Sequence, residues 1–267
     1  MKNLSKDFVT DVNGPMLDKV KINFDSSIDF NKFPFSLNII KKLKTIEFPT
    51  QVTFIIGENG TGKSTILEAI AGKTGFGPEG GSMNMNFKTA EEGTYSGVQN
   101  LAEHTTLSWR RKPKDGYFFR AESFFNVANY IDLIGREGGS GKEKAYAPYG
   151  GISLHEQSHG ESFLSFFKNR VGNNGFFIFD EPEAALSPQR QLSLISIINE
   201  LCRKSNAQFV IATHSPILLA YPDSTIYSCD SDVLTTIAYK DTTHYKITKN
   251  FLDNPSRYLH YLLNDSV

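Results

Sequence analysis

Apolar residues stand in runs without regular polar alternation at 52–56, interrupted only by Thr53, and at 176–179 and 209–212. Runs of this length predict strands buried on both faces, as a parallel sheet flanked by helices requires. Two of the runs lead into helical patterns. After Ile56 comes a glycine loop, then Ile66, Leu67 and Ile70 at helical spacing, with Gly72 as the predicted stop. After Phe179 comes Ser187-Pro188, a capping residue followed by proline at the first helical position. Leu192, Ile195, Ile198 and Leu201 then form an apolar stripe. This strand–helix alternation predicts an α/β fold with a mainly parallel sheet.

The flanking segments read differently. Residues 20–48 predict antiparallel strands, one of them over 35–40. The C-terminal part predicts strands at 225–229 and 234–238, and a closing helix from about Asn254-Pro255. Residues 72–100 and 135–151 are rich in glycine and small polar residues and read as loops. They bound a small, partly helical lobe over about 122–171. The 267 residues suit a single domain with this lobe inserted.

Charge and cysteine content narrow the classes. With 28 Lys and Arg against 29 Asp and Glu, the chain has no general basic coat for nucleic acid. No apolar run approaches the ~18 residues that a membrane span needs, and residues 1–14 lack the apolar core of a signal peptide. Both observations predict a cytoplasmic protein. Cys202 and Cys229 show neither metal-like nor redox spacing and read as reduced core thiols. The run Arg110-Arg111-Lys112-Pro113-Lys114 is the one local basic feature, read either as a solvated loop or as a contact to nucleic-acid phosphates.

The chemistry concentrates at two strand ends. Gly57-Glu58-Asn59-Gly60-Thr61-Gly62-Lys63-Ser64-Thr65 contains the full pattern G-x-x-x-x-G-K-[ST], between a predicted strand and a predicted helix. Glycines let such a loop wrap a phosphate, with its N–H groups and the helix N-terminus turned inward. Lys63 would neutralise the β- and γ-phosphates of ATP, and the Ser64 hydroxyl would ligate Mg²⁺. The second strand end is Asp180-Glu181 after four apolar residues. Asp180 is placed to hold Mg²⁺, and Glu181 to polarise a water attacking the γ-phosphate.

Between these motifs lies Ser158-His159-Gly160-Glu161, 22 residues before Asp180. With them, it resembles the ATP-binding cassette family of P-loop NTPases, whose signature is written L-S-G-G-Q. Ser158 and Gly160 match; Gln157, His159 and Glu161 depart from it. Ser158 and Glu161 also form a capping-box pattern that would open a helix. The resemblance implies that Ser158, Gly160 and Glu161 cap the ATP held by an opposite copy, so that two copies close head to tail around nucleotide. It further implies that Ala185-Leu186-Ser187 is the loop coupling the two sites, and that His214, before Ser215-Pro216, contacts the γ-phosphate. The segment 116–122 resembles the strand that leads to the family's Q-loop, but it contains no glutamine. Glu122 is the expected substitute ligand for Mg²⁺ or water, with Arg120 as its rival. Phe33 and Phe35 are the candidates for stacking on adenine, or else belong to the core.

The forms D-E-P-E-x-x-L-x-P at 180–188 and T-H-S-P at 213–216 resemble non-transport members of the family. This implies a stand-alone ATPase acting on nucleic acid or on a defence-type effector protein. The ATP-binding subunit of a membrane transporter is the alternative.

Overall fold

A computed structural model describes residues 14–77, 80–82, 92–120 and 174–264. The expected signature segment, the lobe around it and Glu122 lie outside the described residues.

Six strands form the main sheet: β3 (Val52–Ile56), β5 (Asp115–Arg120), β6 (Gly175–Asp180), β7 (Gln208–Ala212), β8 (Thr225–Ser228) and β9 (Thr235–Thr236). Their order is β5-β6-β7-β3-β8-β9. All neighbouring pairs are parallel except β8 and β9. Side chains alternate between two cores. Phe54, Ile56, Phe177, Phe179, Phe209 and Ile211 enter one, and Ile55, Phe176, Ile178 and Val210 enter the other. That division is why the runs show no polar alternation. Phe209 lies 5.1 Å from Phe177 and 5.5 Å from Phe179 between ring centroids. Each such pair contributes roughly 0.5–1.5 kcal/mol beyond area burial.

Helix α4 (Pro188–Ser205) covers the first core, and α2 (Lys63–Thr74) the second. Ser187 Oγ accepts from the Arg190 N–H at 3.4 Å, as the Ser-Pro pair predicts. The buried face of α4 runs through Gln191, Leu194, Ile197, Ile198 and Cys202, whereas Leu192 is 59% exposed. The expected stripe is therefore turned by about one residue, since Gln191 enters the interior by donating to the Leu186 carbonyl and accepting from Ser215. Helix α2 runs past Gly72 to Thr74 and ends on Gly75 in the left-handed region. Gly72 is instead where α2 meets α3 (Glu92–Glu103), with the Ala102 Cβ 3.4 Å from the position a Cβ would take.

A second sheet, antiparallel in the order β2-β1-β4, joins β1 (Leu17–Ile22), β2 (Thr45–Glu47) and β4 (Thr105–Trp109). The buried Gln208 side chain links the two sheets, accepting from the Leu17 N–H at 2.7 Å and donating to its carbonyl at 3.2 Å. Residues 35–40 are not a strand. They turn through Leu37, whose N–H donates to the Pro34 carbonyl, into α1 (Asn38–Lys42). Phe35 is 2% exposed and belongs to the core; Phe33 is 52% exposed.

The C-terminal end carries two helices, α5 (Thr243–Asp253) and α6 (Pro255–Asn264). The second begins where Asn254-Pro255 predicts; the first is additional to the sequence expectation. The strand expected over 234–238 shortens to β9, followed by a single 3-10 turn at Tyr239–Asp241. Among the described residues, no helix is long and apolar enough to cross a membrane. Both cysteines are buried and unpaired, and burial pushes each thiol up to about 12.

Candidate active site

Strand register builds the site. Ile55 pairs with Ala212, Ala212 with Asp180, and Asp180 with Arg120, so β3, β7, β6 and β5 share one row across the sheet. The segments that follow these positions therefore emerge together at the carboxyl edge, where parallel α/β sheets bind ligands. Three backbone bonds hold the edge: Glu181 N–H to the Ala212 carbonyl, Thr213 N–H to Ile55 and Cys229 N–H to Ile56.

From β3 the chain enters the glycine loop. Gly60 (φ +81°) and Gly62 (φ +100°) occupy conformations that disfavour a side chain, and a Cβ on Gly62 would stand 2.8 Å from Ile39 Cγ2. Lys63 is 4% exposed, and its ammonium donates to the carbonyls of Gly57 at 2.7 Å and Glu58 at 3.1 Å. It lies across the loop that its own helix closes. The Glu58 N–H donates to Asp230 Oδ1 at 3.1 Å. Glu58, Asn59 and Gly60 are exposed, whereas Gly62, Lys63 and Thr65 are buried, with Thr61 and Ser64 between. A cleft of about 390 Å³ opens beside Gly60 and Thr61. Its walls come from residues 36–39 and 229–232. Neither Phe33 nor Phe35 lines it.

The Ser64 hydroxyl donates to Asp180 Oδ1 at 3.1 Å. Asp180 is 6% exposed, and Arg120 Nε lies 3.7 Å from its other oxygen. The same guanidinium holds Glu68 on α2 at 2.6 Å. A half-buried hydroxyl beside a buried carboxylate oxygen is the hard donor pair that suits Mg²⁺. The residues therefore fit the metal that the motifs imply.

Glu181 turns sharply out of β6 in the left-handed region (φ +50°). Its Oε1 lies 3.4 Å from His214 Nε2, and that nitrogen has no hydrogen-bond partner among the described residues. The Glu183 carboxylate, two residues on, accepts from Thr213 Oγ1 at 2.7 Å and from the His214 N–H at 2.6 Å. On the other side of His214, Nδ1 lies 2.9 Å from His244 Nε2.

The structure thus brings together Lys63, Ser64, Asp180, Glu181 and His214, all expected from the motifs. Arg120, the rival at the Q-loop position, lies against Asp180. Glu122, Ser158, Gly160 and Glu161 lie outside the described residues. Arg110, in the basic run, is held by Asp18 at 2.6 Å. Sequence reasoning missed Glu183, Asp230 and His244. Glu183 was legible as the second acid of D-E-P-E, whereas Asp230 and His244 carry no motif.

A glycine loop, an acidic strand end one strand removed from it and a histidine just past the end of the strand between them define a P-loop ATPase. A family model described as "AAA ATPase domain" matches residues 99–219, and one described as "AAA domain" matches residues 29–92. The chain is thus similar to these ATPase domains over two separate stretches, one on each side of residues 93–98. Among its relatives is the ribose import ATP-binding protein RbsA of Bacillus cereus, 26% identical over 175 residues, 61% of this chain and 34% of that protein. Another is the cytochrome c biogenesis ATP-binding export protein CcmA of Rhizobium etli, 26% identical over 61% of this chain and 75% of the relative. The chain spans less than half the length of the ribose-import relatives it matches. Among solved structures, cbiO1 from Clostridium perfringens, part of the transporter complex cbiONQ, aligns over 93% of this chain and 99% of its own, with 17% identity and a TM-score of 0.48.

Proposed function

We propose that the chain hydrolyses Mg-ATP in composite sites closed by two copies of itself, and that this cycle acts on a macromolecular partner. The observation that carries the catalytic reading is the shared row of strand ends, which sets the Ser64–Asp180 pair and the Glu181–His214 pair beside one phosphate loop.

The loop N–H groups from Glu58 to Thr65 and the N-terminus of α2 bind the phosphates. On binding, the Lys63 ammonium exchanges its two loop carbonyls for phosphate oxygens. Ser64 and Asp180 hold Mg²⁺, with Glu122 as a further ligand, and the metal when bound offsets charge on the phosphate oxygens. Glu181 accepts a hydrogen bond from the attacking water and orients it in line with the leaving group. The His214 Nε2 beside it, which has no hydrogen-bond partner among the described residues, donates to the γ-phosphoryl oxygens as charge develops there. Glu183 acts through the His214 backbone, fixing where that ring stands. From the second copy, Ser158, Gly160 and Glu161 cap the nucleotide.

The D-E-P-E and T-H-S-P forms favour a nucleic-acid or effector-protein partner. A second reading, the ATP-binding subunit of a transporter, is favoured by the similarity to RbsA and CcmA. The test of the composite site is specific ATPase rate against protein concentration, with Mg²⁺ and no other component. A rate per molecule that rises and then saturates is expected; a flat rate contradicts closure by two copies.

A further inference from the structure

We propose that His244 is a positioning residue that holds the His214 proton on Nε2, and so sets the active tautomer of the ring facing the γ-phosphate. The inference rests on the roles assigned above to Glu181 and His214.

A neutral imidazole carries one N–H, and two ring nitrogens 2.9 Å apart share one proton between them. Two arrangements are open. If His214 Nδ1 donated to His244, its Nε2 would turn a bare lone pair toward the Glu181 carboxylate at 3.4 Å. The same lone pair would meet the phosphate oxygens, and both contacts are repulsive. If His244 Nε2–H donates instead, His214 Nδ1 accepts and Nε2–H faces Glu181 and the phosphate. Electrostatics selects the second. It leaves His244 Nδ1 as a bare acceptor, and that atom is buried without a partner among the described residues. An unpaired acceptor is better tolerated there than an unpaired N–H.

The contact is held in place by its surroundings. Thr242, fully buried, caps α5 by accepting from the Tyr245 N–H at 3.2 Å and donating to the Tyr239 carbonyl at 2.7 Å. The Tyr239 hydroxyl donates to the Pro216 carbonyl at 3.0 Å, two residues beyond His214. The Tyr239 and Tyr245 rings meet with centroids 4.8 Å apart. Beyond this junction α5 buries none of its residues, so general helix packing does not account for where His244 stands. A partner that orients a functional histidine through its far nitrogen is the arrangement by which such rings are tuned elsewhere.

The test compares His244→Phe, which keeps a ring but no donor, with His244→Gln, whose amide N–H reaches the same place. Steady-state ATPase kinetics and ¹⁵N imidazole spectra of His214 are recorded for both. For His244→Phe the expected result is a kcat lower by about 10- to 100-fold, with KM for ATP within about twofold of the wild type. His244→Gln recovers most of that loss. Adding His244→Phe to His214→Ala costs nothing further, because the two act as one unit. In the spectra, His214 carries its proton on Nε2 in the wild type and populates the Nδ1 form in His244→Phe. An unchanged His214 tautomer in His244→Phe overturns the proposal, whatever the activity. So do wild-type turnover by that variant, glutamine no better than phenylalanine, or a loss additive to that of His214→Ala. If His214→Ala itself turns over normally, the catalytic reading fails, and the spectra still decide the positioning claim.

Discussion

The Glu183 carboxylate spans 30 residues of chain to accept two hydrogen bonds from one turn, from Thr213 Oγ1 at 2.7 Å and from the His214 N–H at 2.6 Å. The segment after β6 is thereby tied to the segment after β7, and the Glu181–His214 spacing depends on it.

Hydrogen bonds to a charged group contribute about 1.5–3 kcal/mol each. Loss of both bonds in Glu183→Ala is therefore expected to lower stability by about 3–6 kcal/mol, read from urea unfolding. Among the molecules that remain folded, kcat falls and ATP affinity changes little, because no phosphate-loop residue is touched. A variant as stable and as active as the wild type would contradict this anchoring role.

Gly62 is the tightest point of the loop, combining φ +100° with a Cβ position 2.8 Å from Ile39 Cγ2. Gly62→Ala meets both a backbone penalty of about 1–2 kcal/mol and a steric one. Calorimetry is expected to show a lower Tm and weaker ATP binding together. Gly60→Ala has a similar backbone penalty but open space at Cβ, so it is expected to be the milder of the two.

Much of this site was legible before any coordinates, because each motif sits on a strand end whose pattern is unambiguous. The runs at 52–56, 176–179 and 209–212 admit no polar alternation, since both faces of those strands are covered. The misses share a physical cause, which is tertiary packing overriding local signals. Phe35, Leu37 and Ile39 alternate like a strand, yet Pro34 and the approach of Ile39 to Gly62 make them a turn and a short helix. Gly93 and Gly97 lower the helical propensity of α3, which forms because Leu101 and Ala102 bury against α2. Gln191 reads as surface by composition and is buried because both ends of its amide are paired. His244 lay in a polar segment with no periodic signal, and only the fold brings it to His214.

The pH dependence of stability follows from His244. Burial first, and then the neighbouring His214, hold it below its ordinary value of 6.5; Asp230 and Glu58 oppose the shift, and Lys63 adds to it. A histidine depressed in the folded state binds its proton more readily once unfolded. It therefore contributes stability above about pH 6.5 that is lost as pH falls through the folded value. Thermal unfolding from pH 8 to 5 is expected to show this loss, reduced in His244→Phe. A variant that tracks the wild type across the whole range would contradict the assignment.

In the proposed mechanism Glu181, at the end of β6, drives hydrolysis of an ATP held by the loop at the end of β3. Glu181→Gln keeps the size and hydrogen-bonding reach of the side chain and removes its basicity. Single-turnover hydrolysis of ATP with Mg²⁺, alongside ATP affinity, is the direct test. Unchanged or tighter ATP binding is expected, with a chemical step slower by about 100-fold or more and accumulation of an ATP-bound two-copy complex. Turnover by Glu181→Gln at the wild-type rate would contradict this mechanism.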